Sequence, residues 1–593
     1  MQRDQIVAIV LTGLTLAWLL VNTGLLFNGS NSCVVIGGFA AAFWLCAVSL
    51  YVAADALLYG SFAKRTDETT SSSKDLRGSI LCCCCSTVTC CTEKIVVYFP
   101  AGYYAFFAIL QLASTISFAI AWRWNALICS IALTALLVFA FLVHLSKARK
   151  VYPDSSQADS TAPAKEHDAE MAEVSATDEN NPTAATATTD DIAPASGATK
   201  CCSTFRTTLS VVAGFVMVGL FAGSVQEASG YLQYPANGTW ITITHNRTPA
   251  GCAITQHILT QCAEPENYNS SLPTFWSEVG GGGHSMSDLW GLRDELVNTH
   301  GRRYCSYDMP GTGWSSPIVN GAGDLSGARD FEYITDLVMD ALGETGRYVL
   351  MGSMDGAYNR AAKFAIDRPE HAVAVVPVTI FNDEFLLYRD FNNITTDEMI
   401  EYGVSQLSGR YGFGNLIMLF GTSFGLISVF TPASSSYQPQ DKAQESIFLN
   451  LQTEKQWATN CDYIRHQMTR PIDKWIAEPY IVTKASELGA NGIPVLDFFL
   501  ERNSSQLAQQ CLNARWELDS SECAFSNWTY AQNVALNEEL TRRVNDAAGD
   551  NSSSIIMCGA ECADTTNAFL LNQDDHIAWF ARTMIQALDD LQL

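Results

Sequence analysis

Tyr348-Val349-Leu350-Met351-Gly352-Ser353-Met354-Asp355-Gly356-Ala357 is the stretch of the 593-residue sequence on which the reading of the fold turns. Its first half is a short apolar run ending at glycine, the pattern of a buried strand. Tyr358 to Pro369 then carries apolar residues at helical spacing, and Ala372 to Val376 is a second apolar run. Strand, sharp turn, helix and strand in that order make a parallel pair, because parallel strands need a crossover between them. From about Trp240 to the end, strand-like runs alternate with helical stretches. The C-terminal part, residues 235–593, is therefore expected to be a mainly parallel sheet with helices on both faces and an insertion over about 379–491.

Two stretches lie upstream of that turn. Phe275-Trp276-Ser277-Glu278-Val279 runs into Gly280-Gly281-Gly282-Gly283-His284, a strand entering a glycine turn. Asp308-Met309-Pro310-Gly311-Thr312-Gly313-Trp314-Ser315 follows another strand-like run and reads D-x-P-G-x-G-x-S. Taken in order, the three stretches resemble the α/β-hydrolase family. The resemblance extends from about Trp240 to the end and is strongest up to Val376, with looser support from Gly492 to Phe499, Ser554 to Cys558 and the closing helix. It implies a nucleophile elbow at Gly352–Gly356 and an oxyanion loop at Gly280–Gly283, completed by the N–H of the residue after the nucleophile. It also implies an acid after the strand ending near Phe499 and a histidine after the strand ending at Cys558.

The residues at those places do not supply the usual chemistry. With Gly352 and Gly356 as the elbow glycines, Met354 stands at the nucleophile position, and a thioether has no proton to give up. Moving the register so that Ser353 attacks would put Met351 and Asp355 where small residues are needed. In the first register the Asp355 carboxylate would sit beside its own oxyanion-hole N–H and oppose a developing negative charge. Glu501 is the remaining acid candidate. No histidine follows Cys558 closely; His576 comes later, beside Asp574 and Asp575, which cap the last helix, and it reads as a surface or helix-end residue. His284 reads as a loop residue. These displacements together point to a non-catalytic binding or interaction module. The rival is an active, membrane-tethered ester or lipid hydrolase with a rearranged site using Ser353 and His576. Neither reading calls for a cofactor or a metal.

The first 230 residues have a different character. A bilayer core takes about 20 apolar residues of helix, and five segments qualify: Gln5 to Phe27, Cys33 to Tyr59, Ile95 to Ala121, Ala126 to Leu145 and Thr207 to Ser224. This gives a four-span unit over 1–150 and a fifth helix at about 205–229. A cleaved signal peptide is the other reading of the first segment, opposed by its length and the lack of a clear cleavage site. Residues 151–200, rich in Ala, Thr, Ser, Pro, Asp and Glu, are expected to form a disordered linker. Lys and Arg gather in the loops after the second and fourth spans, so those loops and the N-terminus are expected in the cytoplasm and the C-terminal domain outside, in the secretory pathway or at the plasma membrane.

Sequons and cysteines agree with that orientation. Asn237, Asn246, Asn269, Asn393, Asn503, Asn527 and Asn551 begin N-x-S/T triplets in the C-terminal domain, and Asn28 begins one in an outside turn. Cys252, Cys262, Cys305, Cys461, Cys511, Cys523, Cys558 and Cys562 are even in number and suited to disulfides, with pairing open. Cys82, Cys83, Cys84, Cys85, Cys90, Cys91, Cys201 and Cys202 adjoin membrane spans on the cytoplasmic side and are candidates for palmitoylation. A zinc site is the alternative, disfavoured because adjacent cysteines cannot all face one tetrahedral ion.

Acidic residues outnumber basic ones 61 to 35, which leaves no basic footprint for nucleic acid. The partners expected are the membrane itself, an apolar small molecule or lipid in a hydrolase-like pocket, or a protein. Transport through the spans ranks lowest, since Asp55 is their one acidic group. Gly412 to Thr431 is almost wholly apolar. Crossing the bilayer there would part the last strands from the sheet, so the run is read as a cap hairpin, either on the membrane surface or buried as cap core.

Overall fold

The structure is a computed structural model that describes residues 41–53, 93–120, 124–151, 197–245, 254–279, 285–317, 333–353, 355–378, 414–427, 440–460, 484–500, 520–558 and 574–593, with a few isolated positions between. The expected first span, most of the second, the cysteine-rich loop from Cys82 to Cys91, Asn28, Asn246, Asn503 and the linker up to residue 196 lie outside the described residues. Chain contacts divide the protein into two compact units, one built from residues of the apolar N-terminal part and one holding the whole of Gly219–Leu593.

The N-terminal part contributes α1 (Ala41–Ala53), α2 (Glu93–Ile120), α3 (Trp124–Val151) and α4 (Gly197–Gln233). Three of these contain stretches long and apolar enough to cross a membrane: Pro100–Ile120, Ala126–Ser146 and Thr208–Gln233. They match the expected third, fourth and fifth spans. Within the first unit, Tyr103 Oη donates to the carbonyl of Ser210 at 2.7 Å. Gln111 Nε2 donates to Ser130 Oγ at 2.6 Å, satisfying polar groups where no water would do so. The fifth apolar segment is longer than its sequence suggested. Helix α4 covers 37 residues, because Glu227 and Gln233 do not break helical spacing and no proline or capping glycine intervenes before Tyr234.

The C-terminal unit is built on one eight-stranded sheet: β1 (Thr239–His245), β2 (Ile254–Ala263), β3 (Thr274–Glu278), β4 (Tyr304–Tyr307), β5 (Tyr348–Ser353), β6 (Ala372–Val378), β7 (Leu496–Leu500) and β8 (Ser554–Cys558). Their spatial order is β1-β2-β4-β3-β5-β6-β7-β8. From β4 onward every pairing is parallel, while β1 and β2 add antiparallel at one edge. The central strands are apolar on both sides because helices cover both faces. One apolar layer includes Ile334 and Val338 of α6 (Ile334–Leu342), and Ala361, Phe364 and Ala365 of α7 (Asp355–Asp367). The other includes Leu292 of α5 (Trp290–Asp294), and Ile577, Phe580 and Met584 of the final helix, Asp574–Asp590. A disulfide joins Cys262 and Cys305, which face each other across β2 and β4.

Between β6 and β7 the insertion includes α8 (Gly414–Ser423), α9 (Gln440–Ile447), α10 (454–460) and α11 (Ala485–Ala490). Between β7 and β8 lies α12 (Ser520–Ala548), and the last helix is α13 (Asp574–Asp590).

At the end of β3 a charged pair is enclosed entirely. Glu278 and Arg360 both have no exposed side-chain surface, and Arg360 Nε donates to Glu278 Oε2 at 2.9 Å. The carboxylate also accepts from Trp276 Nε1 at 2.8 Å, Thr335 Oγ1 at 2.8 Å and Tyr307 Oη at 2.6 Å. Arg360 reaches back to the carbonyl of Val279. Hydrogen bonds from β4, α6 and α7 thus converge on one strand end. Removing the cation alone leaves a buried carboxylate without its counter-charge, which typically costs about 3–5 kcal/mol. Arg360→Met is expected to lower the thermal midpoint of the purified chain markedly, and Glu278→Gln with Arg360→Met to regain part of the loss. An unchanged midpoint for the single variant would show the pair to be incidental.

Candidate functional site

The site lies where β3, β4 and β5 end. Strand β5 finishes at Ser353 and α7 begins at Asp355, so one residue, Met354, separates strand from helix. So short a link forces the first turn of α7 back over the strand. Gly352 is where they meet: a Cβ there would lie 2.5 Å from the backbone N and Cα of Tyr358 and 2.8 Å from the carbonyl carbon of Ala357. Side chains cannot occupy that space, so glycine is required by close approach rather than by an unusual backbone angle. The preceding residue, Met351, carries its side chain into the apolar layer that includes Val349, Val376 and Phe498. The need for a missing side chain therefore falls on Gly352 and not on Met351.

The loop after β4 is fastened by Asp308. Its fully buried carboxylate accepts the N–H of Met286 at 2.8 Å, just beyond the glycine turn, and the N–H of Trp314 at 2.7 Å. Gly313 has φ +47°, and a Cβ on it would run into the same carboxylate. Ser315 Oγ donates to the Asp308 carbonyl at 2.6 Å and accepts the N–H of Leu259 at 3.0 Å. The D-x-P-G-x-G-x-S stretch is thus a self-clasping turn whose aspartate and serine hold backbone. These roles position neighbouring loops and leave neither group free for chemistry.

The insertion is stitched to these loops. Lys455 Nζ of α10 donates to the carbonyls of Gly313 at 2.5 Å and Ser315 at 2.8 Å. Thr459 Oγ1 donates to the Gly311 carbonyl at 3.0 Å. Asp288 accepts from Ser446 and from Asn450 Nδ2 at 2.9 Å. Burial raises the Asp308 pKa above the usual carboxylate range and lowers that of Lys455 below the usual ammonium range, and each charge partly offsets the shift of the other.

With Gly352 forcing strand against helix beside an eight-stranded, mainly parallel sheet, the architecture is decided. The C-terminal domain has an α/β-hydrolase fold. The hydrolase-like domain is similar in fold to an esterase from Thermogutta terrifontis, at 14% identity and a TM-score of 0.33 over 59% of this chain and 99% of that one. It is likewise similar to a proline iminopeptidase from Mycobacterium smegmatis, at 14% identity and 0.33 over 60% and 100%. A haloalkane dehalogenase loop variant from Bradyrhizobium elkanii aligns at 15% identity and 0.35 over 59% and 98%. No protein-family model matches the chain, and no curated protein sequence matches it.

The candidate residues of the hydrolase-like domain fare unequally. Gly352 and Ser353 end β5 and Asp355 and Gly356 open α7, as the elbow reading requires. Met354, Glu501, Gly280, Gly281, Gly282, Gly283 and His284 lie outside the described residues, as do the side chains of Ser353, Asp355 and Gly356. His576 occupies the first turn of α13, but it is buried at 3% exposure. That corrects the surface reading: α13 packs its first turns against β7, with Phe580 and Phe498 ring centroids 4.7 Å apart, and His576 lies on the covered side. Among the described residues the one cluster with metal-ligand types is Cys262, Cys305 and Glu344. Two of its members are disulfide sulfurs and offer no thiolate.

One buried acid escaped the sequence reading. Asp497 of β7 is fully buried, and among the described residues neither oxygen has a hydrogen-bond partner. Burial pushes its pKa up from 3.8 to about 8. Its neighbours Leu496 and Phe498 face the α13 layer, so strand alternation turns Asp497 towards the opposite one. An acid in the middle of the apolar run Val495–Phe499 is the signal that could have found it. The unfolded carboxyl ionises at ordinary acidic pH, whereas the folded one holds its proton to about 8. Over that window the native state binds the extra proton, and stability falls as pH rises. Asp497→Asn is expected to flatten the decline in thermal midpoint between about pH 5 and about pH 8; an equal slope in both proteins would contradict it.

Proposed function

We propose that the hydrolase-like domain is a non-catalytic binding or interaction module carried on membrane-spanning helices. The observation that supports this is the close approach at Gly352. The elbow places its nucleophile two residues after the first glycine, and with Gly352 as that glycine the position belongs to Met354. A thioether cannot form the acyl-enzyme, and the next residue, Asp355, brings a carboxylate where the oxyanion-hole N–H belongs. Its partner would be an apolar small molecule or lipid in a hydrolase-like pocket, or a protein. Such a module needs no cofactor.

A second reading, an active ester or lipid hydrolase using Ser353 and His576, draws on the burial of His576. A fluorophosphonate probe separates the two. The intact chain is expected to remain unlabelled, whereas stoichiometric labelling that disappears in Ser353→Ala would overturn the first reading.

The domain is proposed to face the lumen or the exterior. In support, Asn237, Asn269, Asn393 and Asn551 are exposed, Cys262 and Cys305 are disulfide-bonded, and Asn527 falls on α12. Acylation of Cys201 and Cys202, at the start of α4, and of Cys82 to Cys91 belongs to the cytoplasmic side of the same scheme. Digestion with an amidase that removes N-linked glycans is expected to increase the electrophoretic mobility of the chain from a eukaryotic host. No change in mobility would contradict the orientation.

A further inference from the structure

The insertion between β6 and β7 contains 30 consecutive residues, Tyr411 to Gln440, without one Asp, Glu, Lys or Arg. Its helix α8 and the turn that follows pack on α4, whose segment Thr208–Gln233 is long and apolar enough to cross a bilayer. The contact is made by glycines. A Cβ at Gly219 would strike the ring of Phe424, 3.1 Å from its Cε1, and one at Gly223 would lie 2.7 Å from the Gly425 N. Small residues let backbones approach this closely, a common device between helices in membranes. The same aromatic groups meet α1: Trp44 lies 5.3 Å from Phe424 and 5.9 Å from Phe420, and Phe43 lies 5.7 Å from Phe420.

Polar groups in this element are paired within the protein. Thr422 Oγ1 donates to the Met418 carbonyl at 2.7 Å, and Ser423 Oγ donates to that of Leu419 at 3.2 Å. Ser423 Oγ also donates to Glu454 Oε2 of α10 at 3.2 Å on the covered side. Hydroxyls back-bonded within a helix suit a place with no water. The outward side is apolar: Ile417 is 54% exposed and Leu426 50%, and on α4 itself Val225 is 39% and Leu232 69% exposed. Going along α4 from Gly219, the first ionisable group is Glu227, which is buried beneath the insertion. The acidic groups near Ser423 and Gly425, Glu227 and Glu454, are both buried, so none lies on the outward apolar side.

The geometry points to α8 and its following turn being immersed in the half of the bilayer that faces the hydrolase-like domain, with Ile417 and Leu426 against acyl chains. The occupant of this face is lipid, because the face continues the lipid-facing surface of a spanning helix. Immersion of a short uncharged helix here separates no strand from the sheet. It gives the domain a second hold on the membrane and brings the insertion to the depth of hydrocarbon. The inference stands whether or not the domain is catalytic.

The test uses the full chain reconstituted in phosphatidylcholine vesicles, with an environment-sensitive fluorescent amino acid encoded in place of Ile417, Leu426 or, as an aqueous reference, the 67% exposed Glu370. Lipids carrying a doxyl quencher on the acyl chain are expected to remove most of the emission at Ile417 and Leu426 and to leave that at Glu370 intact. Iodide is expected to do the reverse. Since all three positions are exposed, the substitutions leave packing alone. Emission at both Ile417 and Leu426 that iodide quenches as it does at Glu370, with no doxyl effect, would overturn the proposal.

Discussion

Five side chains converge on the end of β3, and the rest of the hydrolase-like domain is arranged around that convergence. A carboxylate and a guanidinium with no exposed surface are tolerable only when their hydrogen-bonding capacity is largely met, and Glu278 meets its share through Trp276, Thr335, Tyr307 and Arg360. The pair fixes the height of α7 over β3 through Arg360, and α7 is the helix that starts at the elbow. Gly352 sits opposite Glu278 in the β3–β5 register. The electrostatic constraint and the steric one therefore act on adjacent strands at the same level.

That arrangement separates two properties often taken together. The scaffold around the elbow combines glycine at the close approach, clasped turns after β4 and a buried ionic tie, none of which performs chemistry itself. Fold and activity are independently specified.

Most strands were legible because each is an apolar run short enough to be a strand and bounded by turn residues. β5 and β8 coincide with their expected runs, and β6 extends two residues beyond Val376. The antiparallel pair β1 and β2 was not singled out, since threonines and glutamines alternate through it and one face is open to solvent. Helix α12 was missed for a related reason: its sequence is polar enough to resemble a loop, and burial of Leu540 and Val544 supplies its fixed side. Parts of the candidate site were legible as motifs, but the partners that define their roles were not. Asp308 and Lys455 are far apart in sequence, and only the folded chain shows that the motif aspartate serves to hold backbone. His576 stands at a helix end, as its sequence indicates, but its burial is not legible there because nothing local marks which side of the helix is covered.

The stitches between insertion and sheet bear on how this domain can be re-engineered. Lys455, Thr459, Ser446 and Asn450 all bind groups in the turns after β3 and β4, so the insertion and those turns form one interlocking piece. A chimera that exchanges the insertion for one lacking a cation at the place of Lys455 would leave the Gly313 and Ser315 carbonyls without this donor and remove the nearby charge that offsets the burial of Asp308. Any transplanted covering would have to bring its own donor to those two carbonyls.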